Sequence, residues 1–542
     1  MKTAGDSDIF SASLILLNKN GFGGFMFNDR NSDYRRASLR ELFSEVSCDY
    51  VLPDYLGEVR KILYTEACAA PLPTYMNGEE ACASGGVRFR MVYVDAEGRL
   101  SSADFSEDYE IHERIVCDVL AGVSADTAIE SSSMRLLGPR KISAKARLCV
   151  KLLVLTEETA EISGSALEAG DPEFSDISAS TLDMVISEPA EREYAEELVT
   201  LDGVIADEVR VVYETAVSQI SECRAADSEI WVSGEHRVCA LVTVGDGPAC
   251  LYKKSIPFAE TISLAGANEG MQASVDVFLP SVKINVMPTD TGSTLVAALV
   301  AEYTPTAQGN REITLVTDGY MTDREVACEY GDITLDSLVA RKQVTEIYRS
   351  DVSAEELSLE SPSEILYLSA EPKIKSVETS CDAVKITAEI RFSGIACEIN
   401  GEKTAYAPIR HASEWHYEIP LEFDTLHPIR PHISLVATSC EGRVGEDGIS
   451  LAAELGIGLN LISTATYHHL CRIDAVGEAQ KCDRQGRILV YYPDREDTLF
   501  SVARRFHTTP KRVAIDNALT ESALADRGGA SSLLGVERLI IK

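Results

Sequence analysis

The chain has 542 residues, which at ~150 residues per domain divides into three or four domains and excludes a single compact module. The balance of 50 Lys+Arg against 86 Asp+Glu leaves a formal net charge of −36, which repels phosphate backbones and anionic lipid. Neither nucleic-acid binding nor membrane insertion is expected, and 45% hydrophobic with 25% charged residues excludes a disordered acidic tail.

The first apolar burst, Leu14-Ile15-Leu16-Leu17, is closed at once by Asn18-Lys19-Asn20 and is shorter than a secretory h-region of ~7–15 residues. Apolar runs elsewhere, such as 295–301, fall far short of the ~20 residues that span a bilayer. The 14 cysteines form no Cys-x-x-Cys pair and lie mostly in apolar runs, such as Leu148-Cys149-Val150 and Val238-Cys239-Ala240. Dispersed thiols of this kind are small buried hydrophobes in a reducing compartment, not a disulfide framework. A cytoplasmic location is the expectation.

Most of the chain alternates with period two, which predicts half-buried strands. Val87 to Val94, Gly234 to Val244 and Val384 to Phe392 are examples, and turn signals recur every eight to twelve residues. That rhythm predicts β-sandwich or barrel domains rather than βαβ units. The runs also repeat. Glu58-Val59-Arg60-Lys61-Ile62-Leu63-Tyr64 recurs as Glu208-Val209-Arg210-Val211-Val212-Tyr213, and Ser84-Gly85-x-x-Arg88-Phe89 recurs as Ser233-Gly234-x-x-Arg237-Val238. Pro139-Arg140-Lys141-Ile142 is matched to Pro280-Ser281-Val282-Lys283-Ile284, and a fainter third copy runs through Arg391-Phe392 to Ile433-Ser434-Leu435-Val436. The predicted domains are 36–160, 190–348, 366–478 and 486–542. Residues 157–198 and 350–365, acidic with little periodicity, are expected as linkers or solvated helices.

The last stretch changes character. Ile488-Leu489-Val490-Tyr491-Tyr492 is a strand, and Asp497-Thr498 opens a helix in which Leu499, Val502, Ala503 and Phe506 share one face, with Asp497 as the expected N-cap. Thr508-Thr509-Pro510 starts a second helix with Pro510 at its first position, and Leu533 to Ile541 closes as a strand. Residues 487–542 carry a net charge of +2 against −38 for the remainder, with Arg504, Arg505, Lys511 and Arg512 around the turn between helices.

This order, with the run from Asp497 to Phe506 and then Thr509, Asn517 and Leu539-Ile540-Ile541, resembles a LysM domain. The resemblance implies a small α+β (βααβ) fold and N-acetylglucosamine binding through Asp497, Thr498, Leu499, Asn517, Ala518 and Leu519. Three departures stand at that groove: Glu496 for the usual Gly, Phe500 for the usual Trp, and an apparent insertion at 522–532. Asn517 also has a structural role open to it, tying down the end of the second helix.

Val51-Leu52-Pro53-Asp54-Tyr55-Leu56-Gly57-Glu58-Val59-Arg60-Lys61-Ile62-Leu63, Leu136 to Ile142 and the Thr317-Asp318-Gly319-Tyr320 turn together resemble the SPOCS domain. SPOCS domains occur in tandem ahead of LysM in spore-coat assembly proteins of endospore-forming bacteria, including the clostridial engulfment-complex protein that joins the coat's morphogenetic ATPase to the forespore surface. The resemblance implies tandem β-sandwich-like repeats and a non-enzymatic scaffold in the mother-cell cytoplasm at the forespore outer surface. The LysM module would dock on the ATPase, with Phe500, Ser501, Arg504, Arg505 and Val513 as the candidate contact, and self-association through edge strands is a further partner class. The alternative is a peptidoglycan-binding protein of the cortex or cell wall.

The remaining motifs carry little chemistry. Asp290-Thr291-Gly292-Ser293 matches the aspartic-protease tetrapeptide, but that reaction needs two carboxylates sharing a proton, and a hairpin turn explains the sequence better. His411, His416, His427, His432, His468 and His469 lack the i, i+4 spacing of a helical zinc motif. Gly21-Phe22-Gly23-Gly24 and Gly456-Ile457-Gly458 are expected as turns without a phosphate-loop Lys-Ser/Thr. No catalytic residue, metal site or cofactor is predicted.

Overall fold

The computed structural model describes residues 31–70, 74–117, 119–245, 247–380, 382–400, 403–421, 428–446, 448–479, 488–519, 533 and 535–542. The apolar burst at 14–17, the glycine run at 21–24, Cys381, His427, Cys482 and residues 522–532 lie outside them. The chain is mainly β, in several small antiparallel sheets. Period-two alternation is the cause, since successive side chains leave a strand on opposite faces.

One strand plan occurs three times. The first unit runs through β1 (Ser32–Val51), β2 (Val59–Ala69), β3 (Thr74–Asn77), β4 (Glu80–Asp95), β5 (Leu100–Arg114), β6 (Val119–Gly138) and β7 (Lys141–Ala160). β7 sits between β1 and β6 in one sheet; in the other, β2 and β3 share one edge of β4 and β5 takes the other. Phe89, Met91 and Tyr93 of β4 are buried in one core with Ile142, Leu148 and Val150 of β7.

After α1 (Ser165–Ala169) and β8 (Glu173–Ile186), the second unit has β9 (Ala190–Asp202), β10 (Val209–Ala226), β11 (Glu229–Val244), β12 (Cys250–Ser263), β13 (Gln272–Thr289) and β14 (Gly292–Tyr320). The third has β15 (Glu325–Val352), β16 (Pro362–Thr379), β17 (Ala383–Asn400), β18 (Lys403–Pro420), β19 (Ile429–Val444) and β20 (Ile449–Val476). Their inner sheets are ordered β10-β11-β12 and β16-β17-β18, and their outer sheets place β14 between β9 and β13 and β20 between β15 and β19. The chain ends in β21 (Leu489–Tyr491), α2 (Leu499–Arg505), α3 (Pro510–Asp516) and β22 (Leu539–Ile541), with β21 and β22 paired antiparallel.

Several sequence expectations are corrected. Residues 157–198 are not a linker: they complete β7, form α1 and β8, and supply β9, and both β8 and β9 pair with β14. Residues 350–365 shrink to a turn between β15 and β16, held down by buried Leu357 and Leu359. Pro280 lies inside β13 at a register shift, so it is not the counterpart of the Pro139 hairpin turn. Thr317 to Tyr320 belong to the end of β14, paired with β8, and Gly456 to Gly458 lie within β20.

The three units meet through equivalent residues. In each inner sheet the register slips by one residue just before a tyrosine: between Ile62 and Tyr64, Val211 and Tyr213, and Ile365 and Tyr367. Such a bulge re-aims side chains, and Leu63-Tyr64, Val212-Tyr213 and Leu366-Tyr367 are all buried pairs. The three tyrosine rings pack edge to face, with centroids 5.6 Å (64–213), 5.1 Å (64–367) and 5.1 Å (213–367) apart. That geometry sets positive ring edges against negative faces. Tyr213 donates to Glu66 Oε2 at 2.7 Å, and Tyr64 Oη lies 3.3 Å from Ser369 Oγ. Burial pushes all three phenols well above their usual range.

Farther along, paired strands from the units converge on a second junction, where Tyr34, Ala160, Ala179, Ile313, Leu315 and Ile333 share a core. The second unit also encloses a polar chain. Buried His236 has Nδ1 2.9 Å from Ser218 Oγ and Nε2 2.9 Å from Tyr303 Oη, and Tyr194 links Tyr303 to Glu260. Burial lowers the imidazole to about 4, against the opposing pull of Glu260.

Tyr367→Ala is expected to lower stability by about 3–5 kcal/mol in urea denaturation. Tyr55→Ala, at a site 84% exposed, should stay within ~0.5 kcal/mol. An unfolded chain protonates His236 near pH ~6.5, whereas the folded one resists until about 4. The unfolded state therefore binds more protons in that window, and stability, full above it, falls by up to about 3 kcal/mol as pH drops through it. His236→Asn should flatten the stability–pH profile measured between those values.

Candidate partner-binding module

The C-terminal module is built from local signals. Thr498 caps α2 by accepting from Ser501 N at 3.0 Å, while Ser501 Oγ accepts from Thr498 N at 2.9 Å. The N-cap is therefore Thr498 rather than Asp497, because this reciprocal pair satisfies two orphan amides at once. Asp497 instead accepts from Tyr491 Oη at 2.7 Å and from Asp494 N at 2.9 Å. Partial burial would raise its pKa, but these hydrogen bonds outweigh that and hold the carboxyl below its usual range. Pro510 opens α3 behind the Thr509 cap, since a missing N–H costs nothing at that position. Leu499, Val502, Ala503, Val513, Leu539 and Ile541 fill the small core.

The module is seated on the end of β14. Phe500 packs edge to face on Tyr320, with centroids 5.1 Å apart, and Tyr320 Oη donates to Thr508 O at 2.7 Å. Arg504 pairs with Asp318, which also accepts from Tyr330 Oη at 3.0 Å. Burial pushes the Tyr320 phenol well above its ordinary value, with Glu173 adding to the effect. Nothing in the local sequence points to Asp318 and Tyr320 as this seat.

The candidate contact residues are thus split. Phe500 is 9% exposed and Val513 1%, both inside the fold, and Ser501 is committed to the cap. Arg504 is held by Asp318, and the Arg505 guanidinium lies over the Tyr491 ring. Arg505, Lys511, Arg512 and Ile515 form the exposed side of the two helices, where Arg512 pairs with Asp516 at 3.2 Å.

The candidate glycan residues are mostly occupied. Leu499 is buried and Leu519 packs against the core. Asn517 donates to Val513 O at 2.9 Å and Ile540 O at 2.8 Å and accepts from Ile540 N at 2.6 Å, tying α3 to β22. Ala518 stands in the left-handed region at φ 52°.

Elsewhere, the two fingerprints of the first unit meet. Leu52 N donates to Arg140 O and Val59 N to Pro139 O, each at 2.8 Å, while Arg140 donates to Pro53 O at 2.6 Å. Gly57 is tight there, because a Cβ would stand 2.9 Å from that of Asp95. Asp290-Thr291 is the hairpin turn between β13 and β14. His411 lies 3.0 Å from Ser350 Oγ, His468 pairs with Asp332, and His469 stands 3.6 Å from Cys471 Sγ. Glu80, Cys82 and His112, unmarked in the sequence, bring their ligand atoms within 4.8 Å of one another.

Residues 209–287, from β10 into β13, match the family model described as SipL, SPOCS domain. That match supports a SPOCS domain in the second unit. No curated protein matches the chain, and no solved structure does. Among the described residues no helix is long and apolar enough to cross a membrane.

Tyr320→Ala should loosen the module from β14, raising amide hydrogen exchange across 499–506. Asp318→Asn should change it much less, because the half-exposed pair with Arg504 is worth at most ~1 kcal/mol.

Proposed function

We propose that this SPOCS-domain protein is a non-enzymatic scaffold of sporulation, acting in assembly of the spore coat at the forespore surface. The single observation that carries the reading is the SPOCS match in the second unit, whose strand plan the units before and after it repeat. The SPOCS family is not a known enzyme family, which fits a scaffold. All three units are read as SPOCS copies, and the closing strand–helix–helix–strand module is read as LysM-like.

The module's role is to grip a protein, with a coat morphogenetic ATPase as the partner. Arg505 is the part of the candidate contact left open to solvent, and with Lys511 and Arg512 beside it forms a basic side that suits an acidic surface. Glycan recognition is the weaker reading, since Asp497, Leu499 and Asn517 already serve the module's own fold.

Co-purification from sporulating cells should recover the ATPase with the full chain and lose it on removal of residues 485–542. Undiminished capture by the truncated protein would defeat the docking role. Arg505→Glu with Lys511→Glu should weaken capture at least tenfold while leaving the fold, followed by circular dichroism, unchanged.

A further inference from the structure

The first unit brings together a set of side chains that neither the strand plan nor the proposed scaffold role needs. Cys82 on β4 lies directly opposite His112 on β5. Glu80 and Glu110 each lie two residues before one of them, and residues two apart share a sheet face. His112 Nδ1 is 3.3 Å from Cys82 Sγ and 3.9 Å from Glu80 Oε1. Its other nitrogen, Nε2, faces Glu110 Oε1 at 3.5 Å.

From this arrangement we propose that Cys82, His112 and Glu80 form a site for a single thiophilic divalent cation of the zinc class, with Glu110 as the positioning residue for the imidazole. The spacing fits. Tetrahedral zinc, with Zn–S ~2.3 Å and Zn–N ~2.0–2.1 Å, separates neighbouring donor atoms by ~3.3–3.7 Å. Thiolate, imidazole and carboxylate together are a donor set of borderline softness, which suits zinc over calcium or magnesium. The fourth position opens to solvent, since the side chains of Glu80 and His112 are about half exposed.

The second observation is the orientation of the ring. A carboxylate on Nε2 draws the proton to that nitrogen and leaves the Nδ1 lone pair aimed at the thiol and Glu80, the arrangement that supports metal-bound histidines. The cluster also lacks a cation: among the ion pairs of the described residues, Glu80 and Glu110 turn to His112 and to no Arg or Lys.

The test uses the full chain, reduced, stripped with chelator and titrated with Co2+. A thiolate-to-cobalt charge-transfer band and tetrahedral ligand-field bands are expected to saturate at a single equivalent and to bleach on addition of Zn2+. Cys82→Ser and His112→Ala should abolish the charge-transfer band, while Cys471→Ser, beside the other Cys–His pair, should keep it. Glu110→Gln should keep the band but weaken affinity roughly 10–100-fold, a loss that a purely structural Glu110 would not show. His112 is exposed enough for its alanine variant to fold even where Cys82→Ser does not. No band in the wild-type chain, or a band that survives in His112→Ala, would overturn the site.

Discussion

Three tyrosines with their rings wedged edge to face, one from each β unit, form the contact on which the arrangement of the units depends. A lone unit would leave its Leu63-Tyr64, Val212-Tyr213 or Leu366-Tyr367 step facing water, a large apolar area with a polar tip that only the other two units cover. The bulge before each tyrosine is what makes this possible. It places two large side chains in succession on the buried side, where regular alternation would send one of them to solvent. Two phenol oxygens are satisfied at the junction itself, that of Tyr213 by Glu66 and that of Tyr64 by Ser369, residues carried two positions on from Tyr64 and Tyr367.

Charge shapes the seams around that junction. The part of the chain ahead of residue 487 carries −38, so bringing units together would crowd carboxylates unless cations were placed between them. They are placed there, and they reach main-chain carbonyls as well as acids. Arg90 donates to Glu214 O at 2.6 Å, Arg88 to Pro280 O at 2.9 Å, Arg341 to Ala273 O at 3.0 Å and Lys373 to Glu130 O at 3.1 Å, together crossing all three seams. Arg90 is the most committed, lying over the Tyr213 ring at 4.6 Å within reach of Glu66, Asp104 and Glu214. Burial works against its charge, yet the surrounding tyrosine and carboxylates hold it firmly protonated.

What was legible in the sequence follows from the range of the interactions. Period-two runs, hairpin turns and helix caps are local, so the strands, the Asp290 turn and the Thr509-Pro510 helix start could be read directly. The repeat was visible where Glu-Val-Arg precedes Tyr64 and Tyr213, but Tyr367 follows Glu-Ile-Leu and escaped notice although it completes the junction. Residues 157–198 looked like a solvated linker because their apolar content is thin. The burial of β8 comes from strands far away in sequence, through Ala179 against Ile313 and Leu315. Phe500 looked like a surface anchor for the same reason, since Tyr320, the ring that covers it, lies in another domain of the chain.

The cluster at Glu80, Cys82, Glu110 and His112 shows the same limit from the side of chemistry. Helical metal motifs betray themselves by i, i+4 spacing, whereas a site laid across two strands reads only as Glu-x-Cys and Glu-x-His until the register is known. Had β4 and β5 paired one residue out of step, Cys82 would face Glu113 or Ile111, and the donors would leave by opposite faces. The same register sets Phe89 against Phe105 in the core and carries the strand up to Val92, the cross-strand partner of Tyr64. The donors at one end of β4 and the tyrosine junction near the other are therefore fixed by a single pairing, so a cation clamping β4 to β5 would reinforce the alignment that presents Tyr64 to the other two units.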